Sequence, residues 1–226
     1  MRKVVSRLVF DTLVVATALF GAAGTWHWWR AWVLLAVLFV VRLVGAHGVF
    51  RVNPALMLER VGPPIGAGQS RRDRALVLFV LASGFVGLPI VAALDRFWWP
   101  QLVRSPAWLA VLGLGLFAGG WALKNLALRA NAFAVAAVRI QRERQHVVID
   151  AGVYSRIRHP FYAADPMIFV GLGLWLESYV TVWCSVIPLA VLLLRLLEEE
   201  QVLQRELTGY GAYMQRVPSR LIPGVW

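Results

Sequence analysis

The chain has one cysteine, Cys184, in 226 residues, which excludes an internal disulfide and any use of an oxidising compartment. Cys184 lies inside an apolar run and reads as a small buried hydrophobe. The four histidines, His27, His47, His146 and His159, have no ligand spacing with one another or with Cys184, so no metal site is expected. Acids are scarce as well: 12 Asp and Glu stand against 23 Lys and Arg, a net charge of +11. Such an excess invites a nucleic-acid partner, but the basic residues lie between apolar segments rather than along one soluble face. That distribution excludes nucleic acid and points to lipid topology. What the chain has in abundance is apolar sequence, 59% of its residues with a mean hydropathy of +0.65. The class is therefore an integral membrane protein.

The fold expected is all-α and polytopic, with about six spans. Residues 8–24 form a first apolar segment with a basic start and no small-residue cleavage site, a retained span rather than a signal peptide. Trp26, Trp28, Trp29 and Trp32 crowd the turn into a second segment ending near Gly45, as an interfacial aromatic belt does. From His47 to Arg74 the chain carries Asn53-Pro54, Gly62-Pro63-Pro64 and Gly66-Ala67-Gly68, loop chemistry with one short interfacial helix around Pro54 to Arg60. A third span covers about Ala75 to Leu94, followed by a Phe97-Trp98-Trp99-Pro100 turn, and a fourth runs from Ala107 to about Leu128. Gly113, Gly115, Gly119 and Gly120 lie mid-span with no strand before them, so they signify close helix packing and not a nucleotide fingerprint.

Residues 129–159 are the longest stretch without a span, and Val147-Val148-Ile149 argues that it is ordered and extended. Two apolar segments follow, Phe161 to Leu176 and Tyr179 to Leu197, separated by Glu177-Ser178 and expected to form a tight hairpin. After them, Val202, Leu203, Leu207, Tyr210 and Tyr213 recur at helical spacing through a polar segment, the pattern of an amphipathic surface helix. With the N-terminus inside, 20 of the 23 basic residues fall on one side, against Arg30, Arg96 and Arg104 on the other. The positive-inside rule then places both termini in the cytoplasm of an inner-membrane protein. Two parts are expected: a scaffold over 1–128 and a functional region over 129–226.

The candidate site lies where residues 152–162 run into the fifth span. Pro160 has no N–H to lose and a fixed φ, so it suits the first position of a helix running to about Trp175, with His159 at the N-cap. Arg156, Arg158 and His159 then converge on a positive dipole end that would welcome a carboxylate or phosphate. Glu198, Glu199 and Glu200 leave the membrane on the last span, about 100° apart, so at least one faces inward. Arg195, four residues before Glu199, is placed to pair with it. A ligand with both an ammonium and a carboxylate suits this convergence.

The pattern Gly152-x-Tyr154-x-x-x-Arg158-His159-Pro160-x-Tyr162, then Glu199-Glu200, Leu203, Glu206-Leu207, Gly209-Tyr210, Tyr213 and Arg220-Leu221-Ile222-Pro223-Gly224, resembles the isoprenylcysteine carboxyl methyltransferase and phospholipid methyltransferase superfamily. The resemblance covers roughly residues 124–226, with Asn131 and the Gln141 to His146 region similar to bacterial members. It implies an S-adenosylmethionine-dependent methyltransferase whose cofactor sits on the cytoplasmic side, held by His146, Gly152, Val153, Tyr154, Arg158, His159, Pro160, Tyr162, Glu199 and Glu200. It further implies a lipophilic methyl acceptor, a carboxylate, amine or thiol, arriving from the bilayer. The first hundred residues carry no such motif.

Two departures stand out. The family has Gly where this chain has Ala164, and Asp165-Pro166 follows where an apolar helix is expected. Asp165 is a buried-acid candidate. It could take the proton of an amine acceptor, and together with the carbonyl of Tyr162 freed by Pro166 it would favour a polar or cationic head. A carboxylate acceptor could instead be oriented by Arg216 or Arg220. Arg158, Arg220 and Asp165 are thus the candidate catalytic residues. Methyl transfer from a sulfonium is an in-line displacement carried by positioning and desolvation, with no metal or covalent nucleophile required. An NADPH-dependent membrane reductase is the competing enzyme class, which the Glu199-Glu200 pair opposes because a 2′-phosphate prefers arginines without acids beside them. A non-catalytic membrane binding protein is the third.

Overall fold

The computed structural model describes residues 1–62, 69–99, 105–135, 140–141 and 144–226. Pro63-Pro64, Gly66-Ala67-Gly68, Pro100, Arg104, Arg139 and Arg142 lie outside the described residues. Among those described, every regular element is helical. Helices α1 (Arg2–Ala23) and α2 (Trp29–Val52) form the first pair, and α3 (Pro54–Val61) is the short helix that Asn53-Pro54 predicts. Helix α4 (Arg71–Ala82), capped by the Ser70 hydroxyl, continues through a π-helical turn (Ser83–Gly87) into α5 (Leu88–Phe97). Helix α6 (Ala107–Ala130) ends before the long connection, which closes with a 3-10 turn at Gly152–Ser155. Then come α7 (Pro160–Trp175), α8 (Tyr179–Cys184), α9 (Val186–Glu206) and α10 (Tyr210–Arg216).

Among the described residues, five helical segments are long and apolar enough to cross a membrane: 2–23, 29–52, 71–97, 107–130 and 179–206, where about six are expected. The remaining apolar segment, α7, has 16 residues and a length of roughly 24 Å. It nevertheless runs the height of the bundle. Its N-terminus lies beside Glu200 at the end of α9, and its C-terminus is tied to the start of α2, where Arg30 donates to the Trp175 carbonyl at 3.1 Å and pairs with Glu177 at 3.0 Å. Most of α7 is buried, so a short helix suffices because protein, not lipid, covers it.

The expected hairpin partner of α7 was the segment after it, but its closest packing is against α6. Glycine explains this. A Cβ at Gly113 would sit 2.6 Å from Leu174 Cβ and 2.6 Å from the Trp175 nitrogen, and one at Gly120 would sit 2.8 Å from the Ala164 carbonyl. Gly113 and Gly120 let the two backbones approach, as the mid-span glycines predict.

The C-terminal segment also differs from a single amphipathic surface helix. Helix α9 runs on to Glu206, the chain turns at Gly209, and α10 begins at Tyr210. Leu207, Tyr210, Tyr213 and Val217 form a small core with Ile140, Val148 and Leu203. These apolar residues pack against Ile140 and Val148 of the connection after α6.

Candidate functional site

A continuous cavity of about 670 Å³ opens beneath that small core, within the size range of ligand pockets. One end is walled by the connection, α10 and the end of α9, with His146, Tyr154, His159, Glu199 and Tyr210 on its lining. Tyr162 and Arg195 stand at its middle. The other end extends between α1, α2, α3 and α6, past Trp121 and Lys124 to Arg42 and Asp11.

The three consecutive glutamates separate as helix geometry requires. Glu198 pairs outward with Arg72 at 2.6 Å. Glu200 turns into a buried ion cluster: its Oε1 accepts from Arg158 Nε at 2.9 Å and lies 3.3 Å from His159 Nε2, while its Oε2 accepts from Arg220 Nε at 2.7 Å. Glu199 alone of the three lines the cavity, and its Oε2 accepts from the Tyr162 hydroxyl at 2.5 Å. That hydroxyl also accepts from Arg195 Nη1 at 2.9 Å, and Arg195 Nε donates to Asp73 at 2.7 Å. Arg195 therefore reaches Glu199 through Tyr162 and across to α4, not by the direct pairing expected along α9.

The anion at the start of α7 is the chain's own. The site that His159 and the dipole create takes Glu200, and Arg158 spends its remaining donors on the Val217 and Pro218 carbonyls, both at 2.7 Å. The Arg158 and His159 amides donate to the Ser219 and Arg220 carbonyls at 3.0 and 2.9 Å, so the cluster clamps the C-terminal segment onto α7. Glu200 and Arg220 lie off the cavity lining, and Arg220 stacks on Trp226 at 5.0 Å. Pro160 starts α7 as expected, with His159 at the N-cap but making no side-chain cap. Gly152 and Val153 lie off the lining too. Gly152 serves by its φ of 60°, which turns the chain into the 3-10 helix against Ala130. Arg156 is exposed, and Arg216 pairs with Asp150 at the surface at 2.7 Å.

Tyr154 and His146 do line the cavity. Burial pushes the Tyr154 phenol up to about 12, so it remains a neutral donor, and Tyr213 donates to the Tyr154 carbonyl at 2.7 Å. His146 stacks on Phe133 with ring centres 4.3 Å apart; burial, then the nearby Arg144 guanidinium, hold its imidazole below the usual histidine value. The Tyr210 hydroxyl is buried without a partner among the described residues, and burial pushes it up as well. A donor left without a partner on a cavity wall costs stability unless a ligand satisfies it.

Asp165 neither reaches water nor stands alone. It is 3% exposed, and its Oδ1 lies 2.6 Å from the buried Lys124 Nζ. This engages the carboxylate that the proton-acceptor reading needs and removes its preference for a cationic head. Lys124 lies mid-α6 in an apolar run, where a lone lysine gives no sign of its partner; the depth of Asp165, 41 residues later, is the signal that could have found it. Asp73, Arg60, Arg42 and Asp11 are likewise cavity or network residues with no local motif. Arg60 donates to the Ala134 carbonyl and lies over Phe161, and burial lowers its guanidinium to about 10.

This arrangement is that of a polytopic helical membrane protein with a cavity between polar and apolar walls. Residues 108–209 match the phospholipid methyltransferase family, and this segment belongs to the isoprenylcysteine and phospholipid methyltransferase superfamily. The similarity to a methyltransferase family covers that segment, under half of the chain. The match takes in α6 through α9 and with them His159, Tyr162, Glu199, Lys124 and Asp165, but not α1, α2 or α10. No curated protein matches the chain.

Proposed function

We propose that the protein is an S-adenosylmethionine-dependent methyltransferase acting on a lipophilic acceptor at the cytoplasmic face of the inner membrane. The observation that carries this reading is the single cavity in which Glu199, Tyr154 and the partnerless Tyr210 hydroxyl face apolar walls. S-adenosylmethionine supplies an electrophilic methyl group when bound. Its ammonium and ribose hydroxyls need an acceptor, which the Glu199 carboxylate provides, and its carboxylate needs donors, which the Tyr210 and Tyr154 hydroxyls provide. Glu199 is held in place by Tyr162, itself fixed by Arg195 and Asp73, so the carboxylate is aimed before the ligand arrives. Val80, Phe85 and Leu192 exclude water from the middle of the cavity. The Glu199 carboxylate opposes the 2′-phosphate of NADPH.

Titration calorimetry of the purified protein with S-adenosylmethionine, its demethylated product and NADPH tests the reading. Binding of the first two and not the third is expected. Glu199→Gln removes a charge-assisted contact of about 1.5–3 kcal/mol and weakens S-adenosylmethionine about ten- to a hundredfold. Wild-type affinity in that variant, or preference for NADPH, rejects the assignment.

A further inference from the structure

Two helices that border the cavity, α2 and α6, each turn a second face away from it. On α2, Ala46 and Val49 line the cavity, while Val44, His47, Gly48 and Arg51 do not. Those four recur at three- and four-residue steps and share the opposite side of the helix, where Val44, His47 and Arg51 are exposed. On α6, Lys124, Asn125 and Leu128 line the cavity, and Leu126 and Arg129 are exposed outside it. The two helices meet along a seam with glycine on one side. A Cβ at Gly45 would fall 1.9 Å from the Asn125 side chain, whose amide donates to the Val41 carbonyl at 3.1 Å. One turn further along α6, the Arg129 side chain lies along Gly48, its Cδ 3.6 Å and its guanidinium carbon 3.9 Å from where a Cβ would stand. Asn53 ties the end of α2 to the Arg129 carbonyl at 3.3 Å. Arg129 is thereby held against α2 between His47 and Arg51. Among the described residues, none of these three side chains has an ion-pair or hydrogen-bond partner, and neither α2 nor α6 contains an acidic residue. Deeper along the same faces the surface turns apolar, with Val40, Val44 and Leu126 exposed.

We infer that this seam binds an anionic phospholipid, its phosphodiester held by Arg51, Arg129 and His47 over Gly48 and its acyl chains lying along Val40, Val44 and Leu126. The lipid sits outside the bundle and is not the molecule that enters the cavity, so the inference does not depend on the methyltransferase reading. Guanidinium groups present paired, parallel donors that match phosphate oxygens. Two of them, converging from different helices across a residue with no side chain, leave a gap that a headgroup can enter. A zwitterionic headgroup brings an ammonium as well, and with no carboxylate on α2 or α6 to receive it, that charge meets only cations. A soluble anion lacks the chains that cover the apolar strip below. A phosphate bridging Arg51 and Arg129 joins the ends of α2 and α6, closing at its polar end the seam that Asn125 closes further in.

The test is a titration of the full-length, detergent-solubilised protein with phosphatidylglycerol, phosphatidylcholine of the same chains and inorganic phosphate, read as the concentration giving half the rise in thermal midpoint. Phosphatidylglycerol is expected to bind about tenfold more tightly than phosphatidylcholine, and inorganic phosphate to give no rise at the same concentrations. Arg51→Gln combined with Arg129→Gln should abolish that preference. Gly48→Leu keeps both charges and fills the gap between them, and should abolish it as well. Arg156→Gln combined with Arg205→Gln removes the same charge from two exposed arginines at the same end of the bundle, and should leave the preference intact. Equal affinity for the two lipids, a preference that survives either seam variant, or one lost equally in the Arg156 and Arg205 variant overturns the inference. So does a rise with inorganic phosphate as large as that with the lipid.

Discussion

At one end of the cavity the walls come from the connection after α6 and from the start of α7, the end of α9 and α10, where polar residues crowd within a few positions of one another. At the other end they come from α1, α2, α3 and α6, where single charges punctuate long apolar runs. Both ends solve the same problem, holding charge away from water. The first does it with a local knot of one carboxylate, two guanidinium groups and an imidazole that also clamps the C-terminal segment. The second uses ion pairs between helices, Asp11 with Arg42 and Lys124 with Asp165. A buried charge is tolerable only when paired. In the knot, part of the pairing is legible because Arg158 and His159 are neighbours; between helices each partner lies on a different span.

The largest effect should come from breaking the knot while sparing Glu199 beside it, which lines the cavity. Glu200→Gln strands the buried Arg158 guanidinium and leaves the partly exposed Arg220 without its acid, and should cost about 3–5 kcal/mol, read as a lower midpoint in denaturant unfolding of the detergent-solubilised protein. Glu199→Gln should barely move that midpoint. If the two variants behave alike in unfolding, the division of the glutamate pair between fold and ligand is wrong.

At the other end, Lys124→Met strands Asp165 and should cost a similar amount, about 3–5 kcal/mol. Lys124→Met with Asp165→Asn should cost clearly less than either single change, because the interaction is shared. Additive losses would show that the pair does not act as a unit. A smaller loss is expected from Gly113→Ala, which forces a methyl into the contact with Leu174 and Trp175 and should cost about 1–3 kcal/mol. The same change at Gly115, whose Cβ would meet nothing, should be neutral or slightly stabilising.

The smallest effect is a pH dependence at His146. Its folded-state pKa is lowered by burial and then by Arg144, so below the ordinary histidine value, about 6.5, the unfolded chain binds a proton that the folded one resists. Its contribution is full above that pH and falls as pH drops below it. Wild type should lose slightly more stability than His146→Gln between pH 7 and 5.5, with identical slopes as the contrary result.

The sequence by itself determined that the protein is helical and membrane-embedded, that α7 begins at Pro160 and ends at Trp175, and that Gly113 and Gly120 of α6 serve packing. Each of these follows from local chemistry: hydropathy, a proline's missing N–H, an absent Cβ. It also placed His159 and Tyr162 together, because a three-residue spacing survives any tertiary arrangement, whereas the glutamates some forty residues later joined them through the expected hairpin and the family resemblance. Only the tertiary structure decided which glutamate meets the cavity, that Glu200 lies against His159 at the start of α7, and that Lys124 pairs with Asp165. It alone brought Arg7, Asp11 and Arg42 to the same cavity as Glu199. A charge on an apolar helix declares that it must have a partner, and helix periodicity gives its direction, but the partner's identity depends on which helices lie side by side, which no local pattern encodes.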